Sequence, residues 1–109
     1  MKHLIASAGL AVAGLTAPAF ADAHANAVTL QLQWVTQAQF AGYYVAKDKG
    51  FYEEEGLDVT IQPGGPDIAP PQVLAGGGAD AMLNWMPSAL SAREKGLPIV
   101  NIAQPFKTS

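Results

Sequence analysis

Apolar and polar residues alternate along residues 28–34, with Val28, Leu30, Leu32 and Trp34 on one side and Thr29, Gln31 and Gln33 on the other. This period of two predicts a half-buried β-strand. Over residues 36–49 the period lengthens, and Phe40, Ala41, Tyr44 and Val45 recur at the spacing of one helix face. Lys47 and Lys49 suit the negative end of that helix, and Gly50 supplies the left-handed residue that stops it. FYEEEGLDV turns a corner, and Leu57, Val59 and Ile61 alternate with Asp58, Thr60 and Gln62 to predict a second strand over 57–62.

Residues 63–71, PGGPDIAPP, hold four prolines and two glycines, so they form a shaped loop that runs into a helix start. Asp67 is placed to cap that helix, and Pro70 and Pro71 fit a first turn that needs no internal donors. The helix is short and ends at Gly76-Gly77-Gly78. A third strand is expected over 79–84 and, after Pro87 at a first helical position, a helix over 88–95 with Gly96 as its stop. Residues 98–103, PIVNIA, read as a fourth strand. Strands alternating with helices in this way predict an α/β fold with right-handed crossovers and a mostly parallel sheet with flanking helices.

Open parallel sheets bind ligands beyond the carboxyl ends of their strands. Those ends carry Trp34 to Gln39, Pro63 to Asp67, Asn84 to Met86 and Gln104 to Phe106. The candidate ligand contacts are therefore Trp34, Phe40, Tyr43 and Trp85 as stacking rings, with Gln37, Gln39 and Asn84 as sources of directional hydrogen bonds. Asp67 joins them as a cap first and a contact second. Any one of these rings can equally fill a core, and Tyr44, which shares a face with Phe40 and Val45, is assigned to packing. Glu53-Glu54-Glu55 reads as a solvated corner rather than a metal site. The Pro63-Gly64-Gly65-Pro66 loop lacks the spacing and the lysine of a phosphate cradle. No nucleophile and base stand together with an orienting group, so no catalytic residue, metal or cofactor is expected.

The N-terminus changes the organisation. MKHLIASAGLAVAGLTAPAFA has a basic start, an apolar run from Leu4 to Leu15 and small residues around Ala19 and Ala21, the pattern of a cleavable secretory peptide over 1–21. Ala25 and Ala27 are alternative cleavage positions. The apolar run falls short of the ~20 residues that span a bilayer, so no stable membrane insertion is expected after cleavage. Residues 22–27 form a spacer, and 28–109 the fold itself. A composition of 50% hydrophobic and 14% charged residues is globular rather than disordered. Cleavage removes Lys2 and no acid, taking the formal net charge from −3 to −4 and making nucleic acid an improbable partner. Cysteine is absent, which excludes disulfides and a lipidated cysteine anchor. An exported, untethered, acidic chain points to the periplasm.

Three stretches together resemble a known family: QLQWVTQAQFAGYYVAKDKGFYEEEGLDVTI, the PGGPDI loop, and GGGADAMLNWMPSALSAREKGLPIVNIAQ. They are similar to the N-terminal lobe of periplasmic solute-binding proteins of ABC importers, in the branch similar to thiamine-pyrimidine synthase, which includes binders of thiamine precursors, riboflavin, sulfonates and nitrate. The resemblance covers residues 28–109 and implies part of the first lobe of a type II periplasmic-binding-protein fold. It also implies a small aromatic or heterocyclic solute and an ABC permease as partners. A chain ending at Ser109, just beyond its last expected strand, reads as the front of a larger protein. The fungal synthases of this branch carry a lysine for pyridoxal phosphate where this chain has Asn84, and a histidine where it has Ser88. On that departure the expectation is a binding protein and not an enzyme, with a receptor sensor domain or exported enzyme of the same fold as the alternative.

Overall fold

The computed structural model describes residues 26–107. The secretory-peptide reading of 1–21 falls outside them. Three strands form one parallel sheet, β1 (Ala27–Gln31), β2 (Asp58–Gln62) and β3 (Ala81–Met82), in the order β2-β1-β3. A 3-10 turn (Ala38–Phe40) leads into α1 (Ala41–Asp48), and a one-turn helix α2 (Phe51–Glu54) follows. Between β2 and β3 lies α3 (Pro70–Ala75), and after β3 comes α4 (Met86–Glu94). The mixed α/β class and the parallel sheet with flanking helices are as expected.

β1 is shorter than its alternation suggests, and the reason lies on its neighbour. The β1–β2 register ends at Gln31 opposite Gln62. Leu32 N–H still donates to Gln62 O at 2.9 Å, but the next donor of β2 that faces β1, Gly64 N–H, passes over Leu32 O, where the ladder would continue. Beyond that point Gly64 N–H donates to Trp34 O at 2.9 Å, and the two exits lie against each other. A Cβ on Gly64 would stand 2.6 Å from Leu32 O and 2.7 Å from Trp34 N, so only glycine allows this approach. Trp34 therefore sits in a bend and not on the strand.

The first helix starts later than its apolar spacing predicts. Gln37 is extended, at φ −140 and ψ 169, and Phe40, at φ −97 and ψ 3, separates the 3-10 turn from α1. Gly50 adopts φ 76 and turns the chain into α2, a helical turn where the sequence promised a plain corner. Lys47 does more than meet a helix dipole. Alternate residues of a strand point their polar groups to opposite edges; Asp58 N and Gln62 O face β1, so Val59 O faces the free edge of β2. Lys47 Nζ donates to that oxygen at 2.7 Å, blunting an edge that would otherwise be open to pairing.

β3 is two residues long, against six expected, but its flanks dock firmly. Asp80 Oδ2 accepts the Thr29 N–H at 2.8 Å while Asp80 N–H donates to Thr29 O at 2.9 Å, and Leu83 N–H donates to Gln31 O at 2.9 Å. A side chain thus takes a ladder position at the start of β3. Asp67 does not cap α3. Its N-cap is Ala69, without a side-chain hydrogen bond, and Asp67 lies exposed in the turn before it. The expected fourth strand is also absent among the described residues: 98–103 is irregular, with Val100 77% and Ile102 85% exposed. An alternating segment becomes a strand only when a neighbouring backbone takes its hydrogen bonds. Arg93 Nη1 instead donates to Ile99 O, holding the segment against the end of α4.

The core is small: Leu32, Phe40, Val59 and Ala79 are its buried apolar side chains. One expectation is inverted at its margin. Gln31, assigned by alternation to the polar face, is 2% exposed.

Two glycine substitutions should separate close approach from helix propensity. Gly64→Ala should lower stability in urea by about 1–3 kcal/mol through backbone overlap. Gly42→Ala, where a Cβ meets nothing within 4 Å inside α1, should raise it by about 0.5–1 kcal/mol.

Candidate functional site

Parallel strands leave the sheet on the same side, and the register sets how far each exit reaches. Gln31 stands opposite Gln62 on β2 and Met82 on β3. Trp34, Gly65 and Trp85 each follow three residues after this level, on the exits of three adjacent strands. Trp34 is 41% and Trp85 56% exposed, so both indoles keep surface available at this rim. Trp34 leaves β1 and Trp85 leaves β3, strands that pair directly in the sheet.

The amides differ in how free they are. Gln37 and Gln39 are exposed, Gln37 entering the 3-10 turn and Gln39 inside it. Asn84 is half-buried and already engaged. Its Oδ1 accepts the Trp85 N–H at 3.0 Å and its Nδ2 donates to Ser88 Oγ at 3.1 Å, which fixes the carboxamide and leaves one lone pair and one N–H for other use. The same pair of bonds sets the start of α4 and, with it, the position of Trp85.

The remaining candidates differ in exposure. Phe40 is 2% exposed and gives its ring to the core beneath the rim. Tyr43 is half-buried on α1, and Tyr44 shares its hydroxyl with Thr36 Oγ1 at 2.9 Å, tying α1 to the loop that carries Trp34. Burial pushes the Tyr43 phenol above its ordinary value, and the Tyr52 phenol rises through burial and then through proximity to a charged Tyr43. Asp67 is exposed in the loop after Gly65.

A groove of about 470 Å³ opens between α3 and α4, lined by Pro70, Gln72, Asn84, Ser88, Ser91 and Lys95 among others. It reaches the rim through Asn84. A larger hollow of about 680 Å³ lies along α1 between Tyr44, Val45, Lys47 and Asp48, and holds none of the rim residues. The groove is the better candidate because it adjoins fixed polar groups, whereas the hollow lies among surface side chains of one helix.

One residue of the site was not legible as such. Gln31 Nε2 donates to Leu32 O at 2.9 Å and Pro63 O at 3.2 Å, with Gln62 O at 3.4 Å, joining the two chain exits that bear Trp34 and the Gly64 loop. Alternation does not distinguish it from Gln33.

Open parallel sheets hold ligands beyond their carboxyl ends, and that is the edge from which the residues bearing these indoles and carboxamides leave the sheet. The chain belongs to the NMT1/THI5 like family, which matches residues 37–109. It is 35% identical over 87 residues to the formylaminopyrimidine-binding protein of Halalkalibacterium halodurans, covering 80% of this chain and 26% of that protein. A protein named for thiamine biosynthesis in Haemophilus influenzae is 32% identical over 89 residues, covering 81% of this chain and 27% of its own. The 4-amino-5-hydroxymethyl-2-methylpyrimidine phosphate synthase of Candida albicans is 30% identical over 87 residues, covering 74% and 25% respectively. The chain thus spans about a quarter of the length of the curated relatives it matches. No solved structure matches it at a significant level.

These relatives correct the expectation that the protein is not an enzyme. Synthases of Candida albicans and Saccharomyces cerevisiae stand at 29–30% identity to it, so the family holds enzymes as well as a protein named for binding. The family relation to thiamine-pyrimidine chemistry stands as expected.

The tyrosine pair predicts an alkaline sign. A phenol held neutral by the fold binds its proton more tightly folded than unfolded, so its contribution is complete below the ordinary value of 10.0 and is lost as pH rises through the higher folded value. Tyr43→Phe should flatten this alkaline loss of stability, and should remove from the parent's absorbance titration a tyrosinate component that develops above the titration of free tyrosine.

Proposed function

We propose that the protein captures a pyrimidine related to the thiamine precursors and presents it to an ABC permease, working in the periplasm after removal of residues 1–21. The observation that carries this reading is the register that sets Trp34 and Trp85 at equivalent exits of neighbouring parallel strands. A flat aminopyrimidine offers two π-faces for indole stacking, an exocyclic amine that donates, and ring nitrogens that accept. Carboxamides such as those of Gln37, Gln39 and Asn84 can answer both kinds of polar edge. Stacking of this kind is worth about 0.5–1.5 kcal/mol beyond the area it buries.

Membership in a family whose relatives are named for formylaminopyrimidine binding and thiamine biosynthesis supports the solute class. The export pattern at the N-terminus supports the compartment, and no described helix is long and apolar enough to cross a membrane. A second reading, supported by the names of the yeast relatives, is a synthase of the same pyrimidine. Both readings require pyrimidine recognition, and they part at turnover.

Calorimetry on the purified protein with 4-amino-5-hydroxymethyl-2-methylpyrimidine and its formylamino analogue should give saturable binding with quenching of tryptophan emission. Trp34→Ala and Trp85→Ala should each weaken it about tenfold, the loss expected for about 1.5 kcal/mol of stacking. Heat without saturation for every pyrimidine tested would end the proposal, and formation of a phosphorylated pyrimidine product would transfer it to the second reading. Expression with the intact N-terminus should yield a periplasmic protein whose mass corresponds to a start at Asp22; a cytoplasmic product retaining Met1 would remove the export half.

A further inference from the structure

Gln31 is the buried polar side chain that alternation placed on the solvent face. It ends β1 at 2% exposure, opposite Gln62. Its carboxamide nitrogen faces three carbonyl oxygens, those of Leu32, Gln62 and Pro63, at 2.9, 3.4 and 3.2 Å. The orientation of the amide is therefore fixed, because turning its oxygen toward three carbonyls would set acceptor against acceptor. Each of those carbonyls belongs to one of two exits. Leu32 leads to Trp34, while Gln62 and Pro63 lead to Gly64 and Asp67.

The two exits meet at close range. Gly64 N–H donates to Trp34 O at 2.9 Å, and the Gly64 α-carbon packs directly on the Leu32 to Trp34 backbone. Gly64 N–H reaches Trp34 O and so leaves the Leu32 carbonyl without the ladder donor it would otherwise have, and the Gln31 side chain supplies one there. We propose that Gln31 is a positioning residue for solute capture: its buried carboxamide clamps the exits of β1 and β2 together and so holds the indole of Trp34 at the rim. This inference rests on the pyrimidine-binding reading for its ligand, though not for its geometry. Gln31 acts through Trp34 and touches no solute itself.

The test has two arms, so that failure of the binding reading and failure of the clamp are distinguishable. In a Trp85→Phe background Trp34 is the single tryptophan, and its time-resolved anisotropy reports ring motion with no ligand present. Gln31→Met, equal in length and without a donor, should shorten the slow component and raise acrylamide quenching of Trp34 about twofold, as loss of a local tether does. In the otherwise unchanged protein the same substitution should weaken binding of 4-amino-5-hydroxymethyl-2-methylpyrimidine about tenfold, in keeping with the cost of a displaced contact. Val59→Ala, a core truncation away from the rim, is the control for stability alone and should leave both readouts at the parent's level, since it removes packing and no positioning bond. Gln31→Asn, a carboxamide too short to span both exits, gives the same two readouts should Gln31→Met fail to fold. Anisotropy and quenching indistinguishable from the Val59→Ala control would overturn the clamp. Mobile Trp34 with affinity unchanged would overturn its role in capture. Absence of pyrimidine binding by the parent protein would overturn the binding reading and with it the capture role, leaving the anisotropy arm to decide the clamp itself.

Discussion

The parallel pairing of β1 with a neighbour on each side is the constraint on which the rim depends. Because the three strands point the same way and their registers meet at Gln31, their exits leave from one edge at one level. Antiparallel pairing of either neighbour would send one exit to the opposite end of the sheet. The indoles owe their common rim to strand direction, before any contact between them is considered.

The pairing is finished by side chains at the places where the backbone cannot finish it. Asp80 takes the Thr29 amide before β3 begins, Lys47 takes the Val59 carbonyl on the outer edge of β2, and Gln31 takes the Leu32 carbonyl where the β1–β2 ladder ends. Each satisfies a backbone group that the sheet would otherwise leave open. The apolar core alone is modest, and large apolar side chains such as Phe51, Leu90 and Val100 remain more than half exposed. In so small a core, polar groups of this kind carry much of the geometric definition.

The family unites proteins named for binding a pyrimidine with proteins named for making one. What the two need in common is a surface that recognises a flat heterocycle with donors and acceptors around its edge. Departures at single positions, such as Asn84, change what chemistry such a surface can add, but Asn84 here also organises the start of α4 through Ser88 and Trp85. A residue with a local structural duty of that kind is a poor guide by itself to whether the whole protein turns over its ligand.

By itself the sequence determined the α/β class, the order of β1, α1, β2, α3, β3 and α4, and the strand ends where rings and amides collect, because alternation, helical spacing, proline and glycine are all local signals. The place of Gln31 was decided by tertiary structure alone: burial depends on which neighbour covers a face, and Pro63 lies 32 positions away in the chain. The same holds for residues 98–103, whose alternation states a capacity for pairing that no described strand fulfils. Asp67 and Asp80 complete the lesson, since a carboxylate near a helix start and one near a strand start look alike in sequence. Only the spatial position of an unpaired N–H selected Asp80 for a backbone bond and left Asp67 in solvent.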